Sequence, residues 1–235
     1  MPSVDVIIPV YNEEVALPGS VAKLRTFLQE NLTLPWTIVI ADNGSIDRTL
    51  AVAQELAARY LDVTYIHLPE KGRGRALRKA WLESTADIVS YMDVDLSTDL
   101  RAFPPLVAGI AEEGYDMAIG TRLASKSQTK RSLKREFISR CYNLLIKAMF
   151  FTRFSDAQCG FKALSRKAVQ ELVPLIENQE WFFDTELLIL AEKKGYRVKE
   201  IPVEWLEDPD TRVNIRKTVM EDLKGLWRLR THRLP

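Results

Sequence analysis

Short apolar runs rich in Val and Ile alternate with longer segments of helical periodicity through the first half of the chain. Five runs predict β-strands, because each is short and apolar and is followed by polar turn residues. They cover residues 4–10, 36–42, 63–68, 87–93 and 116–120. The segments between them place apolar residues three or four positions apart and predict helices at 13–31, 45–60, 74–85 and 99–114, with Ser45 as the cap of the second.

The strand runs do not alternate strictly between apolar and polar residues, which is typical of a parallel sheet covered on both faces. Together with the intervening helices they predict an α/β fold, a Rossmann-like, doubly wound, mostly parallel sheet flanked by helices. Ligands of such folds bind beyond the carboxyl ends of the strands. A polar cluster follows each of the five runs, in the order YNEE, ADNGSID, PEKGRGR, DVDLSTD and GTR. We therefore expect five polar clusters at one edge of one sheet.

The second half of the chain has a different pattern. Residues 126–151 predict a basic and then amphipathic helix, 156–166 a return to the sheet, and 181–195 a helix that Gly195 closes. Residues 196–205 predict a final strand, and the tail from residue 213 a basic helix. Because no repeat, low-complexity segment or linker divides the chain, we expect one domain over residues 1–235.

Composition and charge limit the classes of protein to which this chain can belong. Lys and Arg number 33 against 32 Asp and Glu, a formal net charge of +1, so we expect no nucleic-acid partner. The two cysteines have no CxxC spacing and predict free thiols in a reducing compartment. The amino terminus lacks a basic region and a cleavage signal, and the apolar run from Leu144 is short and interrupted by Lys147. We expect a cytosolic protein without a membrane-spanning helix.

The stretch DVDLSTD places Asp93 and Asp95 directly after a buried strand. If this segment is extended, both carboxylates lie on one face, where they would repel each other by roughly 3 kcal/mol at about 5 Å and an effective dielectric constant of about 20. A divalent metal, an arginine or full solvation would relieve that repulsion. Asp99 is explained by a helix start with Ser97 or Thr98 as cap. For the other two acids, Mg²⁺ or Mn²⁺ completed by substrate phosphates matches better.

Arg122 and the basic segment 126–140 each allow a structural and a functional interpretation. Arg122 either pairs with Asp93 at the surface or holds a metal-bound diphosphate with its forked guanidinium. His67 and His232 belong to no recognisable constellation, and we expect no catalytic role for them. The basic window 126–140 runs into an apolar stripe at helical spacing. Periodicity alone favours core packing for that stripe, whereas the basic flank favours a membrane surface.

These motifs, taken in order, resemble those of inverting GT-A glycosyltransferases of the dolichyl- and polyprenyl-phosphate sugar synthase family. The resemblance rests on VIIPVYNEE, ADNGSIDRT, KGRGRAL, MDVDLSTD, GTR, KREFISR, DAQCGFKALSR and FFDTELL, which run from about residue 4 to 190. It implies a nucleotide-sugar half at 1–125, an acceptor half with amphipathic helices at 126–212, and a basic C-terminal helix at 213–235.

The resemblance also implies roles for individual residues. The nucleotide sugar would be bound by Pro9, Tyr11, Glu13, Asp42, Lys71 and Asp93. A Mg²⁺ or Mn²⁺ ion would be bound directly by Asp95, with Asp93 beside it. The acceptor phosphate would be held by Arg122, Arg135 and Ser139, while Asp156 resembles an acid near the acceptor. The catalytic residues would be Asp95, Arg122 and Asp156.

The implied reaction is attack of a polyprenyl- or dolichyl-phosphate oxygen on the anomeric carbon of a nucleotide sugar, with inversion. UDP-glucose is the preferred donor, because Ser97 stands where mannose synthases carry Gln and the C-terminal tail resembles that of glucose-type members. The implied partners are the nucleotide sugar, the lipid phosphate and the cytosolic face of a membrane, where a separate membrane subunit could recruit the chain.

Four alternatives remain at this stage. The nearest is a GDP-mannose-dependent mannose synthase, and the next a GT-A transferase with a non-lipid acceptor. A sugar-phosphate nucleotidyltransferase would be expected to carry a Gly-rich loop after the first strand, where this chain has YNEE. A non-catalytic nucleotide-binding or membrane-adaptor protein would bind nucleotide without regard to metal.

Overall fold

The computed structural model describes residues 1–125, 127–130, 133–206 and 215–231, without the side chains of 128, 130, 133–135 and 215–217. Seven strands form the main sheet: β1 (Val4–Val10), β2 (Trp36–Asn43), β3 (Val63–Leu68), β4 (Ile88–Met92), β5 (Met117–Thr121), β7 (Phe161–Ser165) and β8 (Val198–Pro202). Their spatial order is β3-β2-β1-β4-β7-β5-β8. Two short strands, β6 (Gln128–Lys130) and β9 (Glu204–Leu206), pair separately.

Eight α-helices accompany the strands within the described ranges. They are α1 (Ala16–Asn31), α2 (Thr49–Arg59), α3 (Arg73–Glu83), α4 (Phe103–Ala111), α5 (Leu133–Phe150), α6 (Arg166–Leu172), α7 (Phe183–Lys193) and α8 (Ile215–Thr231). None of these helices combines the length and the apolar character that crossing a bilayer requires.

Helices cover both faces of the sheet, as the apolar strand runs predict. One face packs on α1, α2 and α4 through residues such as Leu24, Leu56 and Phe103. The other packs on α3 and α5–α8, with Trp81 and Phe183 among its largest buried side chains. The doubly wound α/β class is therefore confirmed.

The strand directions bring the expected polar clusters to one edge. β1, β2, β3 and β4 are parallel, as are β5 and β8. β7 lies antiparallel between β4 and β5, and its first residue, Phe161, pairs with Met92. The loop that enters β7 therefore reaches the same edge as the carboxyl ends of β4 and β5.

Several local predictions were wrong. Ser45 does not cap α2, which begins at Thr49; instead the Ser45 Oγ accepts a hydrogen bond from the Asn12 amide at 3.0 Å. Neither Ser97 nor Thr98 caps the helical segment after β4, because the Asp99 carboxylate itself accepts from the Arg101 amide at the start of a short 3₁₀ turn. The predicted final strand is divided into β8 and β9. β6 lies within the segment 126–151 that was predicted as one helix, and α5 begins only at Leu133.

Candidate active site

Asp93 and Asp95 lie in a tight turn and not in an extended segment, which corrects the expectation that an extended backbone aligns them. β4 ends at Met92, and the Leu96 amide donates to the Asp93 carbonyl at 3.1 Å. Leu96 has a φ of 50°, a left-handed conformation that costs about 1–3 kcal/mol for a non-glycine residue and that clusters at functional sites. Both acids nevertheless line one recess, together with Gly160 and Trp205.

Asp93 is held by a buried arginine. Arg73 Nη2 donates to Asp93 Oδ1 at 2.7 Å, and Arg73 Nη1 donates to Asp184 Oδ2, also at 2.7 Å. The Arg73 side chain is 9% exposed, whereas that of Asp93 is 44% exposed and faces the recess. An arginine therefore relieves the repulsion between the two acids, which was one of the three possibilities predicted from the sequence. This arginine is Arg73 and not Arg122.

Asp184 is the centre of a buried charge cluster. Lys162 Nζ lies 3.1 Å from Asp184 Oδ1, and the Tyr91 hydroxyl donates to the same oxygen at 2.5 Å. Burial raises the pKa of Asp184, but the positive charges of Lys162 and Arg73 outweigh burial and leave that pKa below its usual value. Negative and positive charges alternate from Asp93 through Arg73 and Asp184 to Lys162, so the cluster supports Asp93 from behind.

Sequence reasoning missed this cluster, although it quoted both motifs that carry it. Arg73 stands in KGRGRAL and Asp184 in WFFDTELLILA, where an acid interrupts an apolar helix. A carboxylate in such a run is rarely buried without a partner, which is the signal that could have found it. The partner lies 111 residues away in the chain, and only the fold identifies it.

Gly160 gives Asp93 its space. A Cβ atom at residue 160 would lie 1.8 Å from Asp93 Oδ2, far inside van der Waals contact. Because β7 is antiparallel to β4, and Met92 pairs with Phe161, Gly160 lies opposite Asp93, one position beyond that pair. A side chain at residue 160 would therefore displace the Asp93 carboxylate from its present position.

The two acids suit a hard divalent cation. Carboxylate oxygens are the ligands that Mg²⁺ and Mn²⁺ prefer, and such ions commonly bind one or two carboxylates plus phosphates and water. Within the described residues, no group of three or more Asp, Glu, His or Cys side chains forms a fuller metal site. Asp93 and Asp95 at the recess thus fit an ion whose remaining ligands come from a substrate.

Arg122 lies at the end of β5 and is engaged by Asp156. Its Nε and Nη2 donate to the two Asp156 oxygens at 2.8 and 2.9 Å, and its amide donates at 3.0 Å. Burial raises the pKa of the fully buried Asp156, but Arg122 outweighs this effect and keeps the carboxyl ionised, with a lowered pKa. The Arg122 guanidinium carbon lies 5.6 Å from the ring centroid of Trp205, which lines the recess.

The loops after β1, β2 and β3 meet at the other end of this edge. Lys71 Nζ lies 3.6 Å from the ring centroid of Tyr11, and the Gly72 amide donates to Asn43 Oδ1 at 2.6 Å. Asp42 is fully buried, and its Oδ2 lies 2.6 Å from His67 Nδ1. His67 thus has an acidic partner that the sequence did not reveal.

The remaining predicted donor residues lie near these loops. Pro9 is the penultimate residue of β1, and the Glu13 amide donates to Thr49 Oγ1 at 2.7 Å. The glycines of KGRGR serve packing, since a Cβ atom at Gly74 would lie 2.7 Å from that of Phe183.

The predicted acceptor-side residues on α5 are only partly described. The side chain of Arg135 lies outside the described residues, as do most of the basic side chains of 126–135. Ser139 is half-buried, and its carbonyl accepts from Asn143 Nδ2 at 2.9 Å. Asn143 Oδ1 in turn accepts from the Ala157 amide at 2.9 Å, so α5 is tied to the loop that carries Asp156.

The model of glycosyl transferase family 2 matches residues 5–173 of the chain. The chain is 34% identical over 235 residues to glycosyltransferase AglD of Haloferax volcanii, a match that covers 96% of this chain and 37% of AglD. It is 29% identical over 220 residues to a dolichyl-phosphate beta-glucosyltransferase of Trichomonas vaginalis and 28% over 222 residues to that of Saccharomyces cerevisiae. These two matches cover 89% and 86% of this chain, and 65% and 66% of the relatives.

Solved structures share the fold. Glucosyl-3-phosphoglycerate synthase from Mycobacterium tuberculosis in complex with UDP superposes with a TM-score of 0.73 at 17% identity, over 97% of this chain and 79% of that one. The same enzyme in complex with Mn²⁺, UDP-glucose and phosphoglyceric acid gives a TM-score of 0.71 at 16% identity, over 96% and 79%. The chain thus spans less than two thirds of the length of these three curated relatives. Nearly all of the chain superposes on the fold of the solved structures.

Proposed function

Because the chain belongs to glycosyl transferase family 2, we propose that it transfers a hexose, with inversion, from a nucleotide sugar to a polyprenyl or dolichyl phosphate. The observation that carries the proposal is the meeting of two charged units at one sheet edge. The acidic unit is Asp93 and Asp95 after β4, and the other is the Arg122–Asp156 pair after β5. The β7 entry loop runs from Asp156 to Gly160 and joins the two units directly.

The names of the relatives support the lipid acceptor and the glucosyl donor. Several are dolichyl-phosphate beta-glucosyltransferases, and the fold relatives were crystallised with UDP or UDP-glucose. Mannose synthases resemble one another in carrying Gln at the position where this chain has Ser97. This difference favours UDP-glucose over GDP-mannose as the donor. We therefore take UDP-glucose as the donor and the mannose synthase as the second candidate.

On the donor side, the loops after β1–β3 would bind the nucleoside. The resemblance assigns the base to Asp42, whose carboxylate lies fully buried beneath these loops, while Tyr11 with Lys71 would contact the nucleoside or its phosphates, beside Pro9 and Glu13. The cation of Lys71 over an aromatic ring forms a contact worth about 0.5–1 kcal/mol at exposed sites, which a nucleotide could replace.

A divalent cation, Mg²⁺ or Mn²⁺, would be held by Asp95 with Asp93 beside it and would neutralise the diphosphate that departs. Arg73 keeps Asp93 in place for this task, because it fixes one carboxylate oxygen and leaves the group at the mouth of the recess. Mn²⁺ is present in the crystals of the fold relatives, which supports the class of ion.

On the acceptor side, the nucleophile needs no strong base. A phosphate monoester has its second pKa near ~6, so the attacking oxygen is already largely anionic at neutral pH. Arg122 would hold the acceptor phosphate with the N–H groups that Asp156 does not use, with help from Arg135 and Ser139. Asp156, ionised and locked to Arg122, would orient that guanidinium. The residues thus contribute positioning and charge complementarity.

A membrane surface is the expected location of the acceptor. The outward side of α5 exposes an apolar stripe of Phe137, Cys141, Leu144, Ala148 and, just beyond the helix, Phe151. The neighbouring α8 exposes Met220, Leu223 and Trp227 in the same way. Of the apolar stripe predicted from the sequence, Phe137, Cys141, Leu144, Leu145 and Ala148 are exposed, whereas Ile138 and Met149 are half-buried and Met149 packs against the core. The core interpretation that periodicity favours therefore holds only for the inner residues. We propose that the two helices rest on the cytosolic face of a membrane.

The test of function is a transfer assay with purified protein, Mg²⁺ or Mn²⁺ and a short polyprenyl phosphate. UDP-glucose and GDP-mannose are offered in parallel, and mass spectrometry weighs the lipid product. We expect polyprenyl-phosphate hexose from UDP-glucose. A hexose transferred only from GDP-mannose would establish the second candidate, and release of UDP without a lipid product would exclude the lipid acceptor.

Two isosteric variants refine the test. Asp95→Asn should lower transfer at least about 100-fold, since it removes the negative charge that would hold the cation against the diphosphate. Asp99→Asn is the matched control, because Asp99 belongs to the same acidic stretch but is bonded to Arg101. Equal activity of both variants would refute the role of Asp95.

Membrane docking is tested by co-sedimentation with vesicles of neutral and anionic phospholipid. Leu144→Ser together with Phe151→Ser should weaken binding, because burial of each side chain contributes about 1.5–3 kcal/mol. Leu61→Ser is the control, since Leu61 is fully exposed on the turn before β3 and remote from α5. Vesicle binding that the double variant leaves intact would contradict docking through α5.

A further inference from the structure

Trp205 is the one aromatic side chain among the described residues that line the recess of Asp93 and Asp95. It is half-buried, so part of its ring faces solvent at the rim of the recess. The recess itself has room for little more than one water molecule or ion. A group joined to a ligand of such an ion must therefore lie outside the recess, along the rim that Trp205 forms.

The backbone of β9 holds the ring in this place. On one side of β9, the Leu206 amide donates to the Ser97 carbonyl at 3.0 Å, in the segment that follows the two acids. On the other side, β9 pairs with β6. Because side chains alternate along a strand, Leu206 is 60% exposed on the outer face, while Trp205 faces the recess. The ring is thus in position before a ligand arrives, which limits the entropy lost on binding.

Trp205 also lies between the two charged units of the site. Asp93 and Asp95 line the recess with it, and the Arg122 guanidinium carbon lies 5.6 Å from the centroid of its ring. The ring therefore borders the space between a cation at the acids and the cationic side chain after β5. In a transfer reaction, the group that is transferred occupies the space between the departing diphosphate and the acceptor.

The chemistry of a nucleotide sugar fits an aromatic ring at this rim. Its hexose is joined directly to the second phosphate, so a diphosphate on a cation at Asp93 and Asp95 brings the hexose next to the recess. A hexose ring carries C–H groups on its faces, which pack on an aromatic surface while the hydroxyl groups at its edge stay hydrated. We propose, on the basis of the proposed function, that Trp205 is a donor-binding residue whose ring contacts the hexose and not the nucleotide.

Affinities for a nucleotide with and without its sugar isolate this contact. The Kd values for UDP and UDP-glucose are measured by calorimetry with Mn²⁺ present and no acceptor, and GDP and GDP-mannose test the second candidate donor in the same way. The variants are Trp205→Leu, which removes the aromatic ring, and Trp205→Phe, which keeps an aromatic face. Leu206→Ala is the matched control, because Leu206 lies on the same strand and faces outward.

We expect Trp205→Leu to raise the Kd for the nucleotide sugar about ten-fold and to leave that for the free nucleotide within about two-fold, because only the sugar loses a contact surface. Trp205→Phe should weaken binding of the nucleotide sugar by less than about three-fold, and Leu206→Ala should bind all ligands as the unaltered chain does. The KM for the donor should rise in parallel with its Kd.

Tryptophan fluorescence gives a second readout that does not require Trp205→Leu to fold. UDP-glucose should change the tryptophan emission of the unaltered chain beyond the change that UDP causes, because the hexose displaces water from the exposed part of the Trp205 ring. The additional change should be absent in Trp205→Phe. Its persistence in that variant would assign it to another tryptophan and would contradict the proposal.

The outcomes separate this proposal from the proposed function. An equal loss of affinity for UDP and UDP-glucose in Trp205→Leu would overturn the contact with the hexose, and so would a lower melting temperature with every Kd unchanged. An unaltered chain that binds UDP and UDP-glucose equally well would also refute the contact, while nucleotide binding would stand. If the unaltered chain binds none of the four nucleotides, the proposed donor class fails and this inference fails with it.

Discussion

Replacement of Asp222 by Asn should remove a contribution to stability that depends on pH. Asp222 lies on the inner side of α8, 3% exposed, where its Oδ2 accepts from Gln158 Nε2 at 2.9 Å. Its Oδ1 has no hydrogen-bond partner within the described residues. Burial, aided by the charge of Glu221, raises the pKa of Asp222 from 3.8 to about 7.

The sign follows from proton binding. Between pH 3.8 and about 7 the folded chain keeps a proton that the unfolded chain has already lost. The stabilisation that this carboxyl contributes is therefore complete below pH 3.8 and disappears as the pH rises through 7. At about 1.4 kcal/mol per pH unit, this interval corresponds to roughly 4 kcal/mol.

The assay is denaturant unfolding from pH 4.5 to 8 for the unaltered chain and for Asp222→Asn. Asn keeps an acceptor for Gln158 but does not titrate, so the difference in unfolding free energy should move in favour of the variant by a few kcal/mol as the pH rises. Glu30→Gln, at the exposed end of α1, is the control and should give a flat difference. A flat difference for Asp222→Asn, or one that falls with pH, would refute the reasoning.

Further predictions concern the charge cluster and the recess. Asp184→Asn leaves Lys162 buried without an anion and Arg73 with Asp93 alone, and should cost about 3–5 kcal/mol in urea unfolding; a loss below 1 kcal/mol would contradict the cluster. Gly160→Ala places a methyl group against Asp93 and should reduce transfer at least about ten-fold with little change in melting temperature, whereas unchanged turnover would show that the acid can move freely. Dialysis against EDTA should abolish transfer and Mg²⁺ or Mn²⁺ should restore it, and activity that survives chelation would exclude a metal-dependent mechanism.

The sheet could be predicted from sequence because its signals are local. Each of the first five strands was placed within one residue at either end, since apolar runs bounded by turn residues mark a buried parallel strand. The edge that gathers the polar clusters followed from strand direction alone. Caps were less predictable: Ser45 carries the right side chain, but it bonds the β1 loop instead of starting α2.

The partners of charged residues could not be predicted from sequence. Arg122 and Asp93 end strands on either side of β7, so pairing them was reasonable until the position of β7 was known. β7 brings Asp156 to Arg122, while α7 brings Asp184 to Arg73, and Arg73 in turn takes Asp93. Such pairs depend on tertiary contacts across 20 to 111 residues, for which no periodicity gives a signal.

The central position of β7 has a consequence for synthesis on the ribosome. β4 and β5 do not pair with each other, and the strand between them ends only at Ser165. Synthesis proceeds at about 5–20 residues per second, so roughly 4–15 s pass between the synthesis of Met92 and that of Ser165. During this time one edge of β4 has no neighbouring strand. Until then the nascent chain presents an open strand edge, which is a template for aggregation. A polypeptide that stops before β7 should therefore depend on chaperones, however complete its nucleotide-binding loops are.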